Sequence, residues 1–198
     1  MQYSSLYWGV HANRDLWDCV RSLALQLLQE FHSHISRCFI IDHLGTLDLR
    51  DYSHGFELSG VQCASFFGLI EIVAALIENQ GYRSKWGCYL DDSPLVLATR
   101  NGHEEVVKRL VGWEGVDPDE PNNYGQTPPS YGAGYGRKAL VDILLERAEV
   151  NLGRIDKLGR MPLSYAVGNG NEEVVMILLG RAGVSRDWTD NKGRTLLS

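Results

Sequence analysis

The stretch Ser93-Pro94-Leu95-Val96-Leu97-Ala98-Thr99-Arg100-Asn101-Gly102-His103-Glu104-Glu105-Val106-Val107-Lys108-Arg109-Leu110 decides how the chain is read, because its pattern returns every 34 residues. The start at Pro94 recurs in Thr127-Pro128-Pro129, in Met161-Pro162-Leu163 and in Thr195-Leu196-Leu197, and counting back reaches Ser59-Gly60-Val61. Four positions after each start stands a small residue (Ala64, Ala98, Gly132, Ala166), and eight positions after it stands glycine (Gly68, Gly102, Gly136, Gly170). Two apolar pairs then follow, represented by Val106-Val107 and Leu110-Val111 and matched in every unit by residues such as Val174-Val175 and Leu178-Leu179. A fixed period of this length predicts a stacked array in which no unit buries its apolar face alone.

Within one period the residues predict a turn, a helix, a tight turn and a second helix. The turn is polar, as in Asp117-Pro118-Asp119-Glu120-Pro121-Asn122-Asn123-Tyr124-Gly125. A hydroxyl at the Ser/Thr-Pro pair caps the first helix, and proline fits its first turn. Glycine ends that helix, since it turns there without a Cβ penalty. The second helix opens on acidic residues (Glu104-Glu105, Glu172-Glu173), which suit the positive end of a helix dipole. The expected fold is an all-α solenoid over residues 48–198, four repeats and the start of a fifth. Residues 1–47 lie outside the period, and Leu16, Val20, Leu23, Leu27 and Leu28 predict an N-terminal helical segment that caps the array. Lys192–Ser198 begins a fifth unit and stops, so the chain is expected to be a piece of something longer. Its last apolar residues, Val174 to Leu179, would then favour self-association.

The 198 residues are 44% hydrophobic and 22% charged, as in a soluble globular protein, and carry a net charge of −6. That balance argues against nucleic acid as the main partner. Cys19, Cys38, Cys63 and Cys88 have no CxxC-type spacing, which suits reduced thiols in the cytoplasm, with the nucleus also open. No signal-peptide pattern opens the chain, and no apolar run reaches the ~18 residues of a membrane helix.

The Ser93–Leu110 stretch resembles the ankyrin repeat, whose period it follows and whose Thr-Pro-Leu-His signature it matches in its Ser-Pro-Leu start. The wording of Gly159–Arg181 and of Tyr7-Trp8-Gly9-Val10-His11-Ala12 is similar to fungal NACHT–ankyrin proteins. The resemblance implies a non-enzymatic protein-binding module, the recognition or scaffold part of such a protein. A stand-alone adaptor or inhibitor docking on an enzyme is the alternative. Several positions depart from the family pattern. The histidine expected two residues after proline is replaced by Gln62, Val96, Ser130 and Ser164, so its hydrogen bonds must be replaced or missing. Pro129 and Gly132 lower the helix propensity of the third repeat, which is expected to be the weak link.

Chemical motifs do not survive the register. Gly132-Ala133-Gly134-Tyr135-Gly136-Arg137-Lys138 invites a phosphate-loop reading, but its glycines fall on repeat positions and no strand precedes them. His32, His34, Cys38 and His43 raise the remote alternative of a metal-dependent enzyme, with spacing poor for zinc. Asp91-Asp92 and Asp117, Asp119 and Glu120 fall at turn positions. No catalytic residue, cofactor or metal is expected, and a protein of unknown identity is the expected partner. In ankyrin arrays the hairpin tips and first helices line a groove. By resemblance that groove maps onto Phe66, Phe67, Tyr89, Leu90, Arg100, Asn101, Asn123, Tyr124, Tyr135, Lys157 and Leu158. Aromatic residues and arginine are the types that dominate binding energy at interfaces.

Overall fold

The computed structural model describes residues 59–80, 92–181, 184, 189–193 and 195. Eight helices occur among them. They are α1 (Gly60–Phe67) with α2 (Ile70–Gln80), α3 (Pro94–Asn101) with α4 (Glu104–Val111), α5 (Pro128–Gly134) with α6 (Lys138–Leu145), and α7 (Pro162–Gly168) with α8 (Glu172–Leu179). The only bridge between extended residues in this set pairs Thr189 with Thr195. The array is therefore an all-α repeat solenoid, as the period predicts. The N-terminal segment, Tyr89, Leu90, the His32/His34/Cys38/His43 group and the start of the fifth unit beyond Thr195 lie outside the described residues.

The caps set the helix starts. Ser59, Ser93 and Thr127 adopt extended backbone, and their hydroxyls accept the amides of Gln62, Val96 and Ser130 at 3.2, 3.3 and 3.4 Å. Met161 has no oxygen to offer at this position. Instead the Ser164 hydroxyl accepts the Met161 amide at 3.3 Å, and the Met161 side chain is buried. Pro128 and Pro129 occupy the first turn of α5, where the amide they lack would have no helical partner. The glycine eight positions on takes a left-handed backbone in every unit, with φ of 73°, 84°, 65° and 69°. In α1 and α3 it is itself the C-cap, whereas α5 and α7 end earlier, at Tyr135 and Asn169.

First helices stack on first helices (α1, α3, α5, α7) and second helices on second helices, two layers joined within each unit. The apolar pairs fill the space between the layers, and Ile72, Leu76, Leu95, Leu110, Leu140, Leu144, Leu163 and Leu178 are all fully buried. The small residue at the fourth position is where neighbouring first helices meet, and Ala64, Ala98 and Ala166 have no exposed surface. At Gly132 even alanine would crowd, because an added Cβ would lie 3.0 Å from a Val141 methyl. Glycine there answers a close contact, which propensity alone does not reveal.

Candidate interaction surface

One edge of the array is built from the hairpin tips. Asn122 Oδ1 accepts the amides of Tyr124 and Gln126, and Asp156 Oδ1 accepts those of Leu158 and Arg160. Asp190 Oδ1 accepts the amide of Lys192. A short side-chain acceptor thus folds each tip onto itself, for the same reason that Asn and Asp favour turns generally. Successive tips are then tied together, since the Lys157 amide donates to Tyr124 O at 2.9 Å and the Asn191 amide to Leu158 O at 3.0 Å. These bonds fix the backbone from which Asn123, Tyr124, Lys157 and Leu158 project, all of them exposed.

Beneath the tips runs a side-chain network that replaces the missing histidines. Gln62 is fully buried; its Nε2 donates to Asp92 O at 2.8 Å, linking α1 to the next turn. Asn122 Nδ2 donates to Asp92 Oδ1 at 2.9 Å and to the Tyr131 hydroxyl at 3.1 Å, and that hydroxyl donates to Gln126 Oε1 at 2.9 Å. Gln126 Nε2 donates to the Tyr165 hydroxyl, which donates to Asp156 Oδ2, both at 2.6 Å. Arg160 lies 3.0 Å from the same carboxylate and 4.5 Å above the Tyr165 ring. Burial raises the Tyr165 pKa to about 12 and that of Tyr131 further still, so both hydroxyls stay protonated donors. Burial alone would raise the Asp156 pKa, but the Tyr165 and Arg160 hydrogen bonds and the Arg160 charge outweigh it and hold Asp156 below its ordinary 3.8. Nothing in the single-letter pattern marks Tyr131 and Tyr165 as a relay except that they stand 34 apart, three positions after the unit start.

The expected contact residues fall into three groups. Phe66 is 7% exposed, its ring packed edge-to-face on Phe67 at 5.1 Å. Phe67 is half-buried and leans on the core. Arg100, Asn101 and Tyr135 lie together at the ends of first helices. Asn101 spends its amide on Leu97 O at 2.8 Å, and the Arg100 guanidinium lies 6.0 Å from the Tyr135 ring centre. Tyr135 stacks on Tyr131 with centroids 6.4 Å apart and remains 50% exposed. Asn123, Tyr124, Lys157 and Leu158 form the third group, at the tips.

Beside Tyr135 opens a notch of about 320 Å³, lined by Gln126, Ser130, Tyr131, Gly134, Tyr135, Tyr165 and Asn169. It exists because Gly134 presents no side chain where α5 faces α7. Gly132 and Gly134 lie inside a helix, so the glycine-rich stretch is no phosphate loop. Asp119 N donates to Asp117 Oδ1 at 2.8 Å, a local turn bond of the kind expected for that acidic stretch. Among the described residues no cluster of His, Cys, Asp and Glu has the makeup of a metal site, and no helix is long and apolar enough to cross a membrane.

A two-layer helical solenoid with bonded tips and an open first-helix face belongs to the class of repeat scaffolds that present an extended surface. The chain belongs to the ankyrin repeat family: the family description "Ankyrin repeats (3 copies)" matches residues 61–154, and "Ankyrin repeat" matches residues 158–191. Among curated proteins none matches the chain. Ankyrin repeats generally mediate protein–protein interaction, and the family is typically non-enzymatic.

Proposed function

We propose that the tip and first-helix face binds a protein partner, with the notch beside Tyr135 at its centre. The observation that supports this reading most is the placement of exposed apolar side chains. Tyr124 (44%) and Leu158 (49%) project from hydrogen-bonded tips, and Tyr135 (50%) lines a concavity. A preorganised aromatic patch loses little conformational entropy on binding. Met176, 72% exposed, stands instead on the second-helix layer and serves as a control position. A photo-crosslinking side chain placed at 135 should trap a protein partner in cell extract, and the same group at 176 should not. Tyr135→Ala and Tyr124→Ala should each weaken that partner by roughly 1–2 kcal/mol with unchanged thermal unfolding. Equal trapping at 176 would move the site to the other face.

The setting of the array is a separate proposal. The wording of Gly159–Arg181 supports the recognition part of a larger NACHT-type protein in the cytoplasm, and an adaptor or inhibitor docking on an enzyme is the alternative.

A further inference from the structure

The described cations divide by face. In the second-helix layer Lys108, Arg109, Lys138 and Arg147 each lie within 3.5 Å of a glutamate carboxylate. In the turns Arg154 and Arg160 lie within 4.0 Å of Asp119 and Asp156. Arg100, Arg137, Lys157 and Lys192 have no carboxylate at that distance among the described residues; Arg100 lies at the end of α3, Arg137 caps α6 in the turn after α5, and Lys157 and Lys192 stand at the tips. Arg181, after α8, is also unpaired. The carboxylates show the opposite pattern. Helices α1, α3, α5 and α7 contain none, and the tip aspartates turn inward onto tip amides. Exposed glutamates cluster on the second helices, at Glu71, Glu78, Glu104, Glu105, Glu172 and Glu173. A chain of net charge −6 thus gathers its unpaired cations, among the described residues, at the tips and at the turns that end first helices, although Asp117, in the turn that leads to Tyr124, is exposed.

Unpaired cations on an otherwise acidic molecule steer association toward a negative partner, and the like-charged remainder repels wrong approaches. We propose that this face takes an acidic segment of a protein partner, its carboxylates meeting Arg100 and Arg137 at one end and Lys157 and Lys192 at the tips. The proposal rests on the protein-binding reading above and adds the charge of the partner. A short acidic segment suits the surface better than nucleic acid does. A phosphate backbone longer than the face would run on past the second-helix glutamates, and its affinity comes from neutralising many phosphates at once.

The test is to pan a library of random short peptides against the full chain. Retained sequences should be enriched in Asp and Glu over the input, and a labelled representative should bind less tightly as salt rises. Arg100→Glu with Lys157→Glu should weaken that peptide about tenfold while thermal unfolding stays unchanged. Because Arg100 also lies over Tyr135, Lys157→Glu with Lys192→Glu provides a second variant confined to the tips, and it should act in the same direction. Retained peptides without acidic excess overturn the proposal and leave the protein-binding reading standing, as does a charge reversal without effect. Displacement of the peptide by single-stranded RNA at equal or lower concentration assigns the face to nucleic acid instead. A library that yields no binder also overturns the acidic-segment proposal, whereas crosslinking from position 135 decides protein binding independently.

Discussion

Gly132 and Gly134 sit two residues apart in α5, yet they should respond oppositely to alanine. In a helix interior alanine is worth about 1 kcal/mol over glycine. At Gly132 that gain meets a Val141 methyl 3.0 Å from the new Cβ, and a β-branched side chain in a helix has little rotamer freedom to yield. Gly132→Ala should therefore bring no gain and cost up to about 1 kcal/mol in urea unfolding. At Gly134 the nearest atoms, on Tyr165 and Asn169, lie 3.6 and 3.7 Å away, an ordinary contact. Gly134→Ala should stabilise by up to about 1 kcal/mol and at the same time shrink the notch, so binding should weaken as the fold tightens. A single substitution that moves stability and affinity in opposite directions separates the surface from the scaffold. Tyr165→Phe asks the complementary question. It removes the hydroxyl shared by Gln126 and Asp156 and should destabilise by about 1–2 kcal/mol, measured in the same way.

At the scale of the element, the turn between first and second helix carries a staple to the preceding unit. The residue after the left-handed glycine reaches back along the first helix before it. His103 Nε2 donates to Phe66 O at 2.8 Å, and Asn171 Nδ2 donates to Ala133 O and Gly134 O at 2.8 and 2.9 Å. Arg137 lies against Gly102 in the same way. Burial lowers the His103 pKa from its ordinary 6.5 and the nearby Arg137 charge adds to this, against the opposing pull of the Phe66 bond. The folded state therefore binds this proton less readily than the unfolded chain. The contribution of His103 to stability is full above its unfolded value of 6.5 and declines as pH falls from there toward the lower folded value. Urea unfolding between about pH 7.5 and about pH 5 should show that decline, and His103→Asn should remove this component, because Asn171 makes the staple without titrating. Losses tied to Asp156 belong to a separate window below 3.8. The helices themselves were legible, since the Ser/Thr-Pro starts, the glycines and the apolar pairs act locally. The staple, the tip acceptors Asn122, Asp156 and Asp190, and the tyrosine relay were not read, although each recurs at the period. The staple and the Gln126–Tyr165 bond reach into the neighbouring unit, where a residue's neighbours in sequence say nothing of its role, whereas the tip acceptors bond amides two and four residues on. The burial of Phe66 was illegible for the same reason: two adjacent phenylalanines near a helix end look alike until packing places one inside.

The whole array is a line of units, and its stability should be graded along that line. Among the described residues its core divides into two clusters, one running from Val61 to Leu144 and the other from Ala133 to Leu178, and they meet at α6. Leu140 and Leu144 of α6 belong to the first, and Val141 to the second. Helix α4 is flanked by both α2 and α6, whereas α8 packs on α6 and α7 among the described helices and leaves Met176 72% exposed. In a solenoid each unit is held by its own contacts and its nearest neighbours, so a helix with one flank should open at lower free energy. Amide exchange in Glu104–Val111 should then be slower than in Glu172–Leu179, by about tenfold or more in the native-state regime. Leu144→Ala, at a side chain with no exposed surface, tests how far coupling travels. The cavity should cost about 2–5 kcal/mol and weaken the junction at α6. Exchange should then rise most in α6 to α8, with a smaller rise in α2 and α4. If α8 instead protects its amides as well as α4 does in a monomeric sample, and Leu144→Ala raises exchange everywhere alike, the array opens as one cooperative block. A notch at the α5–α7 junction would then be as rigid as the centre of the molecule. Under the graded picture it sits on the softer half, where binding a partner across α5 and α7 should slow α8 exchange more than α4 exchange.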